Sequence, residues 1–374
     1  MSTTILDLPE PGRAPVDLDP QEYLAALMRW HFSAETGSPF WLRRARDLGF
    51  DPIADIRTFD DLRLFPNVVD EFRDVPVEDL IPCGLTGADR VIAGVYESGG
   101  TTGLPKRFVM FDRWMEFALG WDEAHYAPLG QANVLAVAPS GPHMFGEFAR
   151  RRARRQNGVL FSLDLDPRWI KTLLGRGDVA ESERYVEHLV DQAAHILHTQ
   201  NVGILITTPP LLERLSRRDD LVEAIRKNVR YICWSGAHLD ADTRDLFRNE
   251  IFPGIPLKGL YGSTTILGMS RERDVERADG LAAFDPPSPY IVFRVVDPDT
   301  GDDVPDEQRG QVVMNHLTRY AFIPNNLERD HALRIAPPSG TSGTSGTSGA
   351  LGVSVADVGP VATFAEHTVI EGVY

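Results

Sequence analysis

The sequence predicts an α/β fold, with parallel-rich βαβ units over residues 1–288 and a smaller β-rich lobe over 289–374. Three observations lead there. From about residue 130, apolar strand-like runs alternate with helical spans, the pattern of βαβ units and a parallel sheet. After residue 288 the helices drop out, and "YIVFRVVD" and "GQVVMNHL" flank the turn "PDTGDD", as in paired antiparallel strands. The 374 residues, 43% hydrophobic and 25% charged, are enough chain to bury a core of that size.

Taken in order, residues 20–49 read as a helix, a Gly-Ser-Pro turn and a second helix. "DRVIAGVY" and "RFVMF" read as strands on either side of a glycine-rich loop, and a helix begins near Asp112, with that aspartate as its expected cap. "ANVLAVA", "GVLFSLD", "VGILITT" and "VRYICWSG" read as buried strands. "HMFGEFARRRARR", "PRWIKTLL", "SERYVEHLVDQAAHILHT" and "PPLLERLSR" are the helices among them. "DADTRDLFRNEIF" is a further helix leading to the short strand "PLKGLYG". Residues 339–349, "SGTSGTSGTSG", hold no apolar side chain to bury and read as a flexible loop or linker. The remaining "ALGVSVADVGPVATFAEHTVIEGVY" is too short for another domain.

Charge narrows the function classes. A formal net charge of −16 argues against an extended nucleic-acid surface. No run approaches the roughly 18 apolar residues of a membrane span. The start "MSTTILDLPEPG" lacks the basic and apolar regions of a secretion signal. Cys83 and Cys233 make neither a disulfide framework nor a metal cluster, and Cys233 reads as core. The expectation is a cytoplasmic protein with no nucleic-acid or membrane partner, and no residue is assigned as a metal ligand.

The loop inside "VYESGGTTGLPKRFVMF" carries the chemistry. A nucleotide P-loop needs GxxxxGK followed by Ser or Thr and a helix. Here Leu104 and Pro105 separate Gly103 from Lys106, and a strand follows. Ser98, Thr101 and Thr102 still offer hydroxyls, Gly99, Gly100 and Gly103 let backbone N–H groups turn inward, and Lys106 adds a positive charge. A plain glycine-rich hairpin connection explains the glycines but not the hydroxyls and the lysine. Ligands of such sheets bind at the carboxyl ends of strands, which selects "APSGPHMFG", "CWSGAHLD" and "LYGSTTILG".

"SGGTTGLPK" resembles the phosphate-binding signature of the adenylate-forming superfamily of acyl-CoA synthetases, luciferases and peptide-synthetase adenylation domains. The fold it implies is the N-terminal domain of that superfamily. The resemblance implies that Ser98 through Gly103 and Lys106 hold the ATP phosphates, with Lys106 and Thr264 as the catalytic pair. "YGSTT" resembles the family's Tyr-Gly-x-Thr-Glu, placing Tyr261 against adenine, with Gly262 beside the acid. "WSGAHLD" implies Ser235, Gly236 and Ala237 beside the adenine, with Trp234 at the acid pocket. "GPHMFG" implies His143 and Phe145 beside the acid. "NNLERD" is a looser counterpart of the ribose-binding motif and implicates Asp330.

Each residue also has a simpler reading. Tyr261 fits a strand-end aromatic, Thr264 a turn cap, Asp330 a solvated loop residue, His143 a helix cap and Phe145 a core residue. Arg150, Arg151, Arg152, Arg154 and Arg155 read as a solvated helix face, with attraction of a pantetheine carrier or nucleotide as the alternative.

Two features depart from the family. Thr265 stands where relatives place a magnesium-binding glutamate, which implies a weakly held Mg²⁺ beside ATP. No Gly-Arg hinge or later catalytic lysine is recognisable, so the mobile C-terminal catalytic domain is expected to be absent. In this the chain resembles a single-domain adenylating enzyme of phenazine-antibiotic biosynthesis, and "WHFSAETGSPFWLRRARDLGFDP" resembles that subgroup and phenylacetate-CoA ligases. The implied activity is ATP-dependent adenylation of an aromatic or heteroaromatic acid to acyl-AMP and pyrophosphate. CoA, a carrier protein, an amine or a reductase would be the acceptor, and adenylation ranks above complete thioester formation. The alternatives are a weak or inactive auxiliary protein that binds nucleotide or an aromatic metabolite, and an interaction protein using the acidic surface.

Overall fold

The computed structural model describes residues 3–11, 18–99, 104–124, 129–338, 351–361, 363–364 and 367–368. Gly100, Thr101, Thr102, Gly103 and the 339–349 repeat lie outside the described residues.

The first helices are α1 (Pro20–Phe32), α2 (Pro39–Arg44) and α3 (Pro52–Asp55). Each opens on proline, whose missing N–H is no loss in a first turn. Asp19, Ser38 and Asp51 precede them, and their side chains accept the orphan N–H groups. α2 stops at Arg44, short of the expected end, where the chain tightens into a 3₁₀ turn over Ala45–Asp47.

β1 (Ile92–Glu97) and β2 (Arg107–Phe111) pair antiparallel, with Glu97 opposite Arg107, in a hairpin outside the main sheet. α4 (Asp112–Glu123) follows at once. Asp112 is not its cap, contrary to expectation. Phe111 occupies that position without a side-chain bond, and the Asp112 carboxylate pairs with Arg151 at 2.7 Å.

The chain then alternates as predicted. β3 (Asn133–Val137), α5 (Met144–Arg155) and β4 (Leu160–Ser162) come first, followed by α6 (Pro167–Gly175) and α7 (Val179–Thr199). β5 (Val202–Thr207) leads to α8 (Pro209–Ser216) and α9 (Asp219–Asn228). β6 (Tyr231–Ser235), α10 (Ala241–Leu246) and β7 (Leu257–Ser263) complete this part. The strands lie in the order β4-β3-β5-β6-β7, all parallel. β5 is buried at every position, as a strand covered on both faces must be. α9 went unread because its charged sequence buries only Leu221 and Ile225.

Beyond β7 the direction changes. β8 (Gly268–Glu272), β9 (Ala283–Asp285), β10 (Ile291–Val296), β11 (Arg309–Leu317), β12 (Phe322–Ile335) and β13 (Ser354–Pro360) extend the sheet in the order β7-β8-β9-β13-β12-β11-β10, antiparallel throughout. The result is one 11-stranded sheet. β13 comes from the terminal stretch that the sequence left without a partner. It inserts between β9 and β12, with Val355 opposite Phe284 and Asp330 opposite Pro360.

The core runs under both parts. Trp114 of α4 donates from Nε1 to the Leu267 carbonyl at 2.6 Å, and its ring lies 4.7 Å from that of His316. Cys233 is fully buried, and burial pushes its thiol up to about 11, as a core cysteine requires. Among the described residues, no helix is long and apolar enough to cross a membrane.

The five α5 arginines do not form one solvated face. Arg152 is buried against Asp122 of α4, itself without exposure. Arg151 meets Glu116 at 2.8 Å and Glu147 at 2.9 Å, and Arg155 meets Glu116 at 3.0 Å and Glu123 at 2.5 Å. The pairs with Glu116, Asp122 and Glu123 clamp α5 onto α4, whereas Arg151–Glu147 lies within α5. Asp122→Ala leaves a buried guanidinium without its carboxylate and is expected to cost about 3–5 kcal/mol in urea unfolding. Arg150→Ala, at an exposed position, is expected to stay within about 0.5 kcal/mol. Equal losses for the two variants would remove the clamp.

Candidate active site

A cavity of about 300 Å³ opens where β5, β6 and β7 end. Thr208 follows β5, and the Trp234–Leu239 and Leu260–Thr265 stretches follow or end the next two strands. The start of α5, the neck of the β1–β2 hairpin, the middle of β12 and the end of β13 complete the walls. This is the strand-end crevice where an open α/β sheet binds ligands. Ser98, Gly99, Lys106, His143, Phe145, Trp234, Ser235, Gly236, Ala237, Tyr261, Gly262, Thr264 and Asp330 all line it.

Tyr261 and Asp330 meet directly, the phenol donating to Asp330 Oδ2 at 3.1 Å. The Tyr261 ring sits 5.8 Å from both Phe284 and Phe293, which fixes its plane. Burial, with Asp330 and Glu328 adding to it, pushes the phenol well above its ordinary range, so it stays a donor. Asp330 is a residue of β12 rather than of the charged loop the simpler reading supposed. Across the cavity, Gly236 has φ +85°, a backbone state that favours glycine and turns the chain so that Ser235 and Ala237 line the wall. Gly262 has a packing reason of its own. A Cβ there would stand 2.3 Å from the Gly268 carbonyl across the β7–β8 hairpin.

The loop neck is closed twice. Ser98 N–H donates to the Lys106 carbonyl and Lys106 N–H donates to Ser98 Oγ, both at 3.0 Å. The Lys106 ammonium pairs with Asp70 Oδ1 at 2.8 Å, a partner the sequence did not suggest. Burial would raise the Asp70 carboxyl, but Lys106 and Arg73 outweigh it and hold the group below its usual range.

Thr264 opens a short 3₁₀ turn after β7. The Thr265 hydroxyl donates to Glu328 of β12, and the Asn326 amide donates to the same carboxylate oxygen at 2.7 Å. A carboxylate 63 positions along the chain therefore stands beside the threonine. The sequence reading, which looked only at the motif position, found a hydroxyl alone.

At the start of α5, the Phe145 ring stacks on Phe148 with centroids 6.4 Å apart, so Phe145 both packs on the core and faces the cavity. Trp234 is buried and meets Phe284 edge-on at 5.8 Å. Among the described residues, the Trp234 indole N–H and the Thr208 hydroxyl are buried without a partner. His143 occupies the cap position of α5 but makes no capping bond, which removes that simpler reading.

α6, expected as a helix, also brings residues to the loop that no motif marked. Arg168 binds Glu97 at 2.6 Å, and Lys171 Nζ donates to the Gly99 carbonyl at 3.5 Å. Burial, then Arg329 and Arg168, pull the Lys171 ammonium down to about 6. The i, i+3 spacing in "PRWIKTLL" was visible, but its proximity to the loop was not.

Residues 180–317 match the family model described as AMP-binding enzyme. The match takes in Trp234–Ala237 and Tyr261–Thr265 but stops short of Asp330 and begins after the loop. Among solved structures, 2-hydroxyisobutyryl-CoA ligase in complex with 2-HIB-AMP and CoA is similar at 17% identity over 86% of this chain and 65% of that chain, with a TM-score of 0.60. The same ligase in the postadenylation state with R3-HIB-AMP gives 16% identity over 86% of this chain and 64% of that chain, with a TM-score of 0.58. ATP-bound MatB from Rhodopseudomonas palustris is 19% identical over 67% of this chain, with a TM-score of 0.47. The chain spans 47% of the MatB chain, about half its length. No curated protein matches the chain. The fold is therefore that of an α/β adenylate-forming domain, corresponding to the N-terminal part of larger relatives.

Burial, then the Arg168 charge, pull the His143 imidazole down to about 4, against the opposing pull of Asp166 and Glu97. His143 is thus neutral at pH 7, able to donate or accept a hydrogen bond but carrying no charge. Its contribution to stability is complete above its unfolded value near 6.5 and is lost as pH falls through about 4. Titration by NMR should give a midpoint near 4, rising in Arg168→Ala. A midpoint near 6.5 in the wild-type protein would contradict this environment.

Proposed function

We propose that the cavity binds ATP together with a carboxylic acid and that the chain joins them as acyl-AMP with release of pyrophosphate. The observation that carries the reading is convergence. Segments around residues 98, 143, 235, 261 and 330 meet in one cavity, and the Tyr261–Asp330 hydrogen bond sets an aromatic ring beside a carboxylate. A ring and an acceptor so placed suit a base and its ribose hydroxyls. The hairpin neck at Ser98, Gly99 and Lys106 suits the phosphates.

The substrate carboxylate is its own nucleophile, ionised at neutral pH with a pKa near ~4. It attacks the α-phosphorus, the bond to the β-phosphate oxygen breaks, and pyrophosphate leaves with that electron pair. No protein nucleophile is needed. In this reading Thr264 hydrogen-bonds the α-phosphate, and Lys106 neutralises charge once phosphate replaces Asp70 as its partner. His143, neutral, orients the acid by hydrogen bonding rather than by charge.

The donors beside Thr265 fit a magnesium ion. Glu328 contributes a carboxylate and Thr265 a hydroxyl, both hard oxygen ligands. Among the described residues there is no cluster of three His, Cys, Asp or Glu, so phosphate oxygens and water would fill the remaining positions. When bound, the ion would neutralise phosphate charge.

The acid is aromatic or heteroaromatic in this proposal. Phe145 and Trp234 provide flat walls, and the unpartnered indole N–H and Thr208 hydroxyl suit a ring substituent or ring nitrogen. A place in specialised metabolism of the phenazine-antibiotic kind rests on the family resemblance alone. Passage of the acyl group to CoA, a carrier thiol, an amine or a reductase would be a later step.

Acid-dependent exchange of radioactive pyrophosphate into ATP tests the activity across a panel of aryl acids. Exchange should appear with one acid class and fall at least tenfold in Asp330→Ala and Lys106→Ala. Saturable ATP binding without exchange across the whole panel would instead indicate a nucleotide-binding auxiliary protein. Glu328→Gln should weaken Mn²⁺ binding to the ATP complex, followed by electron paramagnetic resonance. An unchanged Mn²⁺ titration would remove Glu328 as a ligand.

A further inference from the structure

We propose that Lys171, supported by Arg168 and Arg329, is a phosphate-contacting cation of this site, reaching the polyphosphate from α6 while Lys106 reaches it from the hairpin. The inference rests on the nucleotide reading above and adds a residue outside every motif that suggested it.

Geometry comes first. Lys171 and Arg168 stand one turn apart on α6, so both reach the same way. Lys171 Nζ lies 3.5 Å from the Gly99 carbonyl, and Arg168 Nη2 lies 3.5 Å from the Ser98 carbonyl. Both cations therefore meet the loop at its first residues, while Lys106 meets it at its last. Arg329 lines the cavity from β12 and acts electrostatically on Lys171. Two cationic side chains of α6 so meet the first residues of the loop, with Arg329 close enough to act on Lys171.

The local charge balance is unusual for a protein of net charge −16. Around Lys171, α6 and its cap provide Arg168 and Asp166, β12 provides Arg329, β1 provides Glu97, and the residue before α5 provides His143. Glu97 is already shared between Arg168 and Arg107. The His143 imidazole is neutral at pH 7, so it adds no positive charge beside Lys171. Burial penalises the Lys171 ammonium most, and repulsion from Arg329 and Arg168 adds to it. An arriving polyphosphate relieves both.

A specific signature follows from that relief. Lys171 is held near 6 in the free protein and is largely neutral at pH 7.5. A phosphate beside it favours the ammonium, so nucleotide binding takes up a proton, and affinity falls as pH rises from 6 to 8. Lys171→Arg keeps the charge at all these pH values and removes the proton uptake. Lys171→Met removes both.

Isothermal titration of the full chain with ATP and with AMP, in EDTA and in two buffers of different ionisation enthalpy, reads these quantities. In Lys171→Met, ATP affinity should fall about tenfold while AMP affinity changes less than twofold. Lys171→Arg should retain the ATP preference, and its proton uptake at pH 7.5 should be lower than wild type by a sizeable fraction of a proton. The wild-type comparison cancels the titration of ATP itself. Equal losses for ATP and AMP, or unchanged ATP affinity in a Lys171→Met variant with wild-type circular dichroism, would overturn the role of Lys171 and leave the nucleotide site standing. A wild-type protein that binds neither nucleotide would overturn the site and this inference together.

Discussion

Glu272 has no exposed side-chain surface, and it sits at the seam of the sheet against two arginines. One carboxylate oxygen accepts the Gly259 N–H at 2.6 Å, and the other accepts Arg248 at 2.9 Å and Arg244. A buried carboxylate is tolerated only when its lone pairs are filled in this way. The consequence is positional. β8 is locked to β7, and α10 with its following turn is locked to both, at the strand where the sheet turns from parallel to antiparallel. Tyr261, Gly262, Thr264 and Thr265 lie within a few residues of that lock, so the register of β7 decides where each one stands.

The site is built by convergence rather than by any one segment. The parallel half delivers strand ends and their loops, each buried strand running up to the same edge. The antiparallel half delivers β12, which brings Asn326, Glu328 and Asp330 to that edge from the other side. β13 wedges beside β12 and closes the wall. Much of the charge is handled by local pairs. Lys106 has Asp70, Arg168 has Glu97, and the α5 arginines have α4 carboxylates. At Lys106 and Arg168 a polyphosphate would therefore exchange partners with existing ion pairs. That arrangement limits repulsion in the empty protein.

Much of this was legible in one dimension. Alternating apolar runs gave away β3, β5 and β6, because a strand buried on both faces has no polar positions to disguise it. The hairpin was legible from its glycines and the strand after them. Three things were hidden for physical reasons. α9 buries too few residues to show a strong stripe. β13 is a strand only because β9 and β12 leave a slot that its backbone fills. The α5 arginines look solvent-facing in sequence because their acidic partners belong to another helix.

The sequence by itself determined the fold class, the βαβ periodicity and the residue types gathered in each candidate motif, since these depend on local spacing and backbone freedom. Tertiary structure alone decided that Tyr261 meets Asp330, that Glu328 stands beside Thr265 and that Lys171 reaches the loop. Each of those pairings joins residues far apart in the chain. Which charges become neighbours is set by strand register and helix packing, and no periodicity within a segment encodes that distance.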